Sequence, residues 1–84
     1  MNDLLKLRNN IDEIDNELIE LLKKRFSIVI DVKKYKSINK LPVLDENREK
    51  EINLKLKNKS GNFYKEIDLI YQAILKVSKD LQNE

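Results

Sequence analysis

The chain has 84 residues, a formal net charge of +2 and 38% charged residues, with one Gly, one Pro, no Cys and no His. That length suits one domain, spanning residues 1–84. The missing Cys and His exclude disulfides, thiol nucleophiles, imidazole bases and the usual zinc sites, and so small a net charge gives little footing for a nucleic-acid binder.

Leu, Ile, Lys, Glu and Asn dominate, which favours helix over sheet. Met1-Asn2-Asp3 shows no basic segment leading into an apolar run, so no signal peptide is expected. No apolar stretch approaches the ~20 residues of a membrane span. The expectation is a cytoplasmic protein that engages neither membrane nor nucleic acid.

The first predicted helix runs from Asp3 to about Ser37, with Asn2 or Asp3 placed to cap its start. Leu4, Leu7, Ile11, Ile14, Leu18, Leu21, Ile28 and Val32 recur in three- and four-residue steps, and Leu22 and Val29 widen the stripe. No Gly or Pro interrupts them. Such a helix is roughly 52 Å long at 1.5 Å per residue. A compact domain of this size is on the order of 30 Å across. The helix therefore overhangs any monomeric globule, and its stripe needs a cover. The simplest cover is the same stripe from a second copy.

Pro42 makes helix improbable across Ser37–Leu44. Asp45 then suits the N-cap of a second helix, about Glu46 to Lys57, with Ile52 and Leu56 as its apolar edge. Ser60-Gly61-Asn62 reads as a stop and turn. A third helix is predicted from about Phe63 to Leu81. Its stripe is Phe63, Ile67, Ile70, Ile74, Val77 and Leu81, flanked by Tyr64, Tyr71 and Leu75. There are no internal repeats. The expected fold is all-α: three helices per chain, the first one long, in an intertwined homodimer.

Several polar residues sit where these stripes should be apolar. The chain carries 14 lysines but only three arginines, Arg8, Arg25 and Arg48. Arg differs from Lys in its planar, bidentate fork for carboxylates and phosphates. At ~100° per residue, Arg25 falls near the middle of the first helix's apolar arc, Lys36 within it and Arg8 at its edge. A charge on a buried stripe costs several kcal/mol unless paired. Snorkelling of Arg25, or a frayed end exposing Lys36, are the structural alternatives. On the third helix Ser78 lies within the apolar arc, and Gln82 one turn on. Each alone is unremarkable, since a buried Ser bonds back to its own helix and a near-terminal Gln faces solvent. Together with Arg25 and Lys36 they point to a polar pocket inside the bundle. Arg25 and Lys36 are about 16 Å apart along the axis, which leaves room for a small anion. Arg8 and Arg25 are about 25 Å apart, so an Arg8 that shares the site must come from a second copy. Arg48 and Glu49 open the second helix, whose N-terminus itself favours an anion.

The run Leu7-Arg8-x-x-Ile11-Asp12-x-x-Asp15-x-x-Leu18-x-x-Leu21-Leu22-x-x-Arg25 resembles the first helix of the all-helical chorismate mutases. Val32, Lys36, Pro42-Val43 and Asp45-x-x-Arg48-Glu49 continue the resemblance, as do Tyr71-Gln72, Ser78 and Gln82 on the third helix. It covers almost the whole chain. The link between the second and third helices is a little shorter than in many members. The resemblance implies a dimer joined through the long first helices and the rearrangement of chorismate to prephenate, without metal or cofactor. By position, Arg25 and the partner chain's Arg8 would bind the substrate carboxylates. Lys36 and Gln82 would donate hydrogen bonds to the ether oxygen. Glu49 and the backbone near Asp45 would hold the ring hydroxyl, and Arg48 and Ser78 would complete the lining.

That chemistry suits the residue types. A Claisen rearrangement is unimolecular and needs no nucleophile or base. It needs a clamped, compact substrate and donors aimed at the oxygen on which charge grows. Two alternatives stay open at this point. An isochorismate-pyruvate lyase would use a similar cationic pocket on the same scaffold. A non-catalytic dimerisation module would explain the stripe but not the arginine within it.

Overall fold

The computed structural model describes residues 2–83 as three α-helices: α1 over Asn2–Ile38, α2 over Glu46–Lys59 and α3 over Tyr64–Asn83. One 3-10 turn, Gly61–Phe63, precedes α3. Among the described residues there is no strand. The three-helix, all-α architecture read from the sequence is the observed one. Its boundaries differ at the edges. Asn2 and Asp3, expected to cap α1, lie inside it, because the helix already includes both residues. Helix α2 continues to Lys59 rather than Lys57, as Lys57, Asn58 and Lys59 contain nothing that breaks a helix before Ser60. Phe63 belongs to the 3-10 turn, so α3 begins one residue late, and it runs on to Asn83.

The punctuation has local causes. Helix α1 ends in a Schellman arrangement: Leu41 N–H donates to Lys36 O at 2.8 Å and Lys40 N–H to Ser37 O at 3.3 Å. The residue that turns the chain is Lys40, with φ +55°, a left-handed conformation that usually falls to Gly. Asp45 caps α2 as expected. Its backbone is extended, and its Oδ1 accepts from Arg48 N–H at 3.0 Å. Helix α2 stops at Ser60, whose N–H reaches Leu56 O at 3.0 Å. Gly61 follows at φ +57°; open space surrounds its α-carbon, so backbone conformation rather than room calls for glycine there.

Helix α3 is the centre of the fold, packed against both α1 and α2. Gln72 Nε2 ties it to α2 through Asn53 Oδ1 at 3.1 Å. The side chains of α1 that gain any cover from their own chain fall between Leu22 and Lys36; Asn2–Leu21 are all exposed. Asn2–Leu21 thus project as an arm about 30 Å long. The chain measures 57 × 24 × 15 Å with a radius of gyration of 16.3 Å, against about 12 Å for a compact domain of this length. Leu56 is the buried hydrophobic residue and Ser78 the buried polar one among the described residues. The stripe of α3 is also half covered: Ile67, Ile74 and Leu81 are partly shielded, whereas Phe63, Ile70 and Val77 remain exposed. One chain has more apolar helix surface than it can bury.

Candidate active site

A cavity of about 420 Å³ lies where α1, α2 and α3 meet, within the ~300–1,000 Å³ usual for small-molecule sites. Ile28, Val29 and Val32 of α1, Val43, Ile52 of α2 and Leu75 of α3 form its apolar wall. Seven of the eight residues singled out in the sequence line it: Arg25, Lys36, Asp45, Arg48, Glu49, Ser78 and Gln82. Arg8 does not. It stands on the uncovered arm, fully out of the cavity of its own chain.

The two anomalies of α1 meet the two anomalies of α3. Arg25 Nη1 donates to Ser78 Oγ at 2.7 Å, and Ser78 Oγ donates to Ile74 O at 2.8 Å. The guanidinium also lies over the Tyr71 ring, 5.8 Å from its centroid. Hydroxyl and ring thus hold one side of the fork, and most of its five N–H donors stay free for an anion. Arg25 therefore does not snorkel into solvent; it is half-buried and fixed.

Lys36 is likewise not on a frayed end. Its Nζ donates to Val43 O at 2.8 Å and to Gln82 Oε1 at 3.1 Å. An ammonium has three protons, so one remains to point at a ligand. Only the oxygen of an amide accepts from an ammonium, which leaves Gln82 Nε2 as the donating end. Its contact with Ser78 O is long, at 3.4 Å. The free proton of Lys36 and the amide of Gln82 are therefore neighbours, able to converge on one acceptor.

The opposite wall belongs to the start of α2. Glu49 Oε1 accepts from Lys79 Nζ of α3 at 2.7 Å. Arg48 sits at the rim with its guanidinium turned to Glu51, 3.7 Å away at the surface. Asp45 spends its carboxylate on the helix cap, so what it adds to the site is cap geometry and backbone. Sequence reasoning missed Lys79 and the Val43 carbonyl, and it named the residues of the apolar wall without assigning them to the site. Nothing in the sequence separates Lys79 from the other lysines. The Val43 carbonyl is a backbone group reached by a fold-back that periodicity does not encode.

The family model for chorismate mutase type II matches residues 7–83. The chain belongs to that family. Among members of known name, the chorismate mutase of Methanocaldococcus jannaschii is 33% identical over 84 residues, covering 96% of this chain and 85% of the relative. The bifunctional chorismate mutase/prephenate dehydratase of Buchnera aphidicola subsp. Schizaphis graminum is 36% identical over 82 residues, 92% of this chain but 21% of that longer protein. No solved structure gave a significant match. As a chorismate mutase type II chain, it carries the family match across all three helices and the whole cavity. Among the described residues, no helix is long and apolar enough to cross a membrane.

Proposed function

We propose that this chain, as one domain over residues 1–84, rearranges chorismate to prephenate in the cavity between its helices. The observation that carries this reading is the fixed polar strip Arg25–Ser78 and Lys36–Gln82 set in an otherwise apolar wall. Four cationic side chains line the cavity against two carboxylates, a surplus that suits a dicarboxylate. Arg25 binds one carboxylate and, with a second cation, holds the substrate folded so that the carbons that bond approach each other. The C–O bond breaks ahead of C–C bond formation, and negative charge grows on the ether oxygen. The spare proton of Lys36 and the Gln82 amide donate to it, and their stabilisation rises as charge accumulates. Glu49, by the oxygen that Lys79 leaves free, accepts from the ring hydroxyl near the backbone of Asp45. Arg48 and Ser78 complete the lining, Arg48 by swinging inward from Glu51. No cofactor takes part in this scheme, and the enzyme works in the cytoplasm.

The second cation is Arg8 of another copy. The uncovered arm calls for an isologous dimer built on α1. If two α1 helices pair antiparallel over their whole length, from 2 to 38, position i faces position 40 − i. Arg8 then faces position 32, and Val32 is part of the cavity wall. A parallel pairing would set Arg8 against its own counterpart, about 25 Å from Arg25. Antiparallel pairing thus covers the stripe and completes the site in one step.

The direct experiment is to follow chorismate loss and prephenate gain with the purified chain, with isochorismate as a parallel substrate. Turnover of chorismate is the expected result. Release of pyruvate from isochorismate without chorismate turnover would assign the site to a lyase instead.

A further inference from the structure

Lys79 lines the cavity, and in the scheme above it meets Glu49 rather than the substrate. Its setting differs from that of the surface ion pairs. Lys23–Glu20, Arg48–Glu51 and Lys76–Asp80 each run along one helix, with side chains more than half exposed. Lys79–Glu49 joins α3 to α2 across the cavity wall at 2.7 Å, with side chains 43% and 31% exposed. Two consequences follow from its geometry. Glu has three rotatable side-chain bonds, and an ammonium fixed on Oε1 restricts the carboxylate and leaves Oε2 as the open acceptor. The ammonium also offsets a negative charge that would otherwise face an incoming dianion.

We infer that Lys79 is a positioning residue for the reaction: it holds the Glu49 carboxylate so that its free oxygen meets the substrate ring hydroxyl, and screens that carboxylate from the substrate's own charges. The inference rests on the reading of the cavity as a chorismate site in which Glu49 binds the hydroxyl. Lys79 touches no reacting atom. Its effect passes through Glu49 and falls on how well substrate is held rather than on the bond-breaking step.

The test is a double-mutant cycle in kcat and KM for chorismate, using the full chain and the substitutions Lys79→Met, Lys79→Arg, Glu49→Gln and Lys79→Met with Glu49→Gln. About 0.5 M salt screens the plain attraction of a dianion by an unpaired ammonium. Circular dichroism and melting curves check the fold, with Lys79→Gln as substitute should Lys79→Met fold poorly. Lys79→Met should raise KM about fivefold and change kcat less than about twofold, the size expected of a partly exposed ion pair. Lys79→Arg should stay within about threefold of the parent, because a guanidinium keeps the charge and the reach. Once Glu49 is already Gln, Lys79→Met should cost less than about twofold more. An equal cost in both backgrounds overturns the inference, because Lys79 would then act on substrate or fold without Glu49. So does a Lys79→Met variant with parental constants beside an impaired Glu49→Gln, and that result leaves the chorismate reading standing. A parent that turns over no chorismate sinks the reading itself, and the inference with it.

Discussion

Removing two aliphatic side chains from the arm should dissolve the enzyme into inactive halves without unfolding its helices. Ile14 and Leu18 are 60% and 51% exposed in the single chain and lie near position 20, the centre of an antiparallel α1 pair. Replacing both with Ala keeps the helix, since Ala is the best helix former. Each truncation removes three carbons, worth about 0.8 kcal/mol apiece when fully buried. About half of each side chain is open in the single chain, so the dimer gains roughly 1.2 kcal/mol per side chain per copy. Two residues in two copies give about 5 kcal/mol, an upper figure and on the order of 10³-fold in the dimer dissociation constant. Sedimentation velocity should show the parent as a dimer at micromolar concentration and the Ile14→Ala, Leu18→Ala chain as a monomer. Activity per chain should fall in the variant and return as its concentration is raised. A folded variant that sediments as a monomer, yet turns over chorismate at the parental rate per chain at every concentration, would refute both the shared site and the role given to the arm.

Other outcomes follow from the same geometry. Arg8→Ala and Arg25→Ala should each be nearly inactive alone, and refolding a mixture should restore part of the activity, since a heterodimer has one intact site; heterodimers without activity would remove Arg8 from the partner's cavity. Gln82→Glu should be weak at neutral pH, by about 10²–10³, because an ionised carboxylate only accepts and repels the charge growing on the ether oxygen. Its kcat/KM should climb as pH falls towards ~4, where a Glu carboxyl regains its proton, while the parent changes much less; Lys36, whose Nζ lies 3.1 Å from Gln82 Oε1, delays the recovery by favouring the charged form of a carboxylate placed there. Parallel pH profiles would show that Gln82 is not the donor. Lys40→Gly should raise stability by about 0.5–1 kcal/mol, because Lys40 occupies φ +55° at the α1 terminus, and melting at fixed chain concentration should move up a few degrees. No gain would mean that the turn is not strained.

Much of this arrangement is legible in the residues because helices announce themselves over long windows. Thirty-seven residues without Gly or Pro give α1 no other way to satisfy its apolar steps. Asp45 reads correctly because a cap is a local bond to the next turn, here Arg48 N–H. Arg25, Lys36, Ser78 and Gln82 are conspicuous as polar residues on apolar arcs. That Arg25 bonds Ser78, and Lys36 Gln82, is not written locally, because the register between α1 and α3 depends on the turns that join them. Lys40 as the turning residue is equally hidden, since a Lys carries no mark of left-handed backbone. Lys79 is one of 14 lysines, and only the approach of α2 gives it a partner.

Lys36 fastens the segment between α1 and α2 from both of its ends. Its backbone carbonyl accepts the Leu41 N–H that closes the helix, and its ammonium reaches across Pro42 to the Val43 carbonyl. The peptide from Asn39 to Val43 is therefore buckled onto the residue proposed to donate a hydrogen bond to the ether oxygen. Lys36→Ala keeps the carbonyl that accepts from Leu41 but loses the tie to Val43 together with the donor, so its kinetic cost measures both at once and overstates the donor. Amide exchange at Leu41, whose N–H the turn holds, separates the two: a variant that keeps the strap closed leaves that amide as slow as in the parent, and its remaining loss of rate belongs to the missing donor alone.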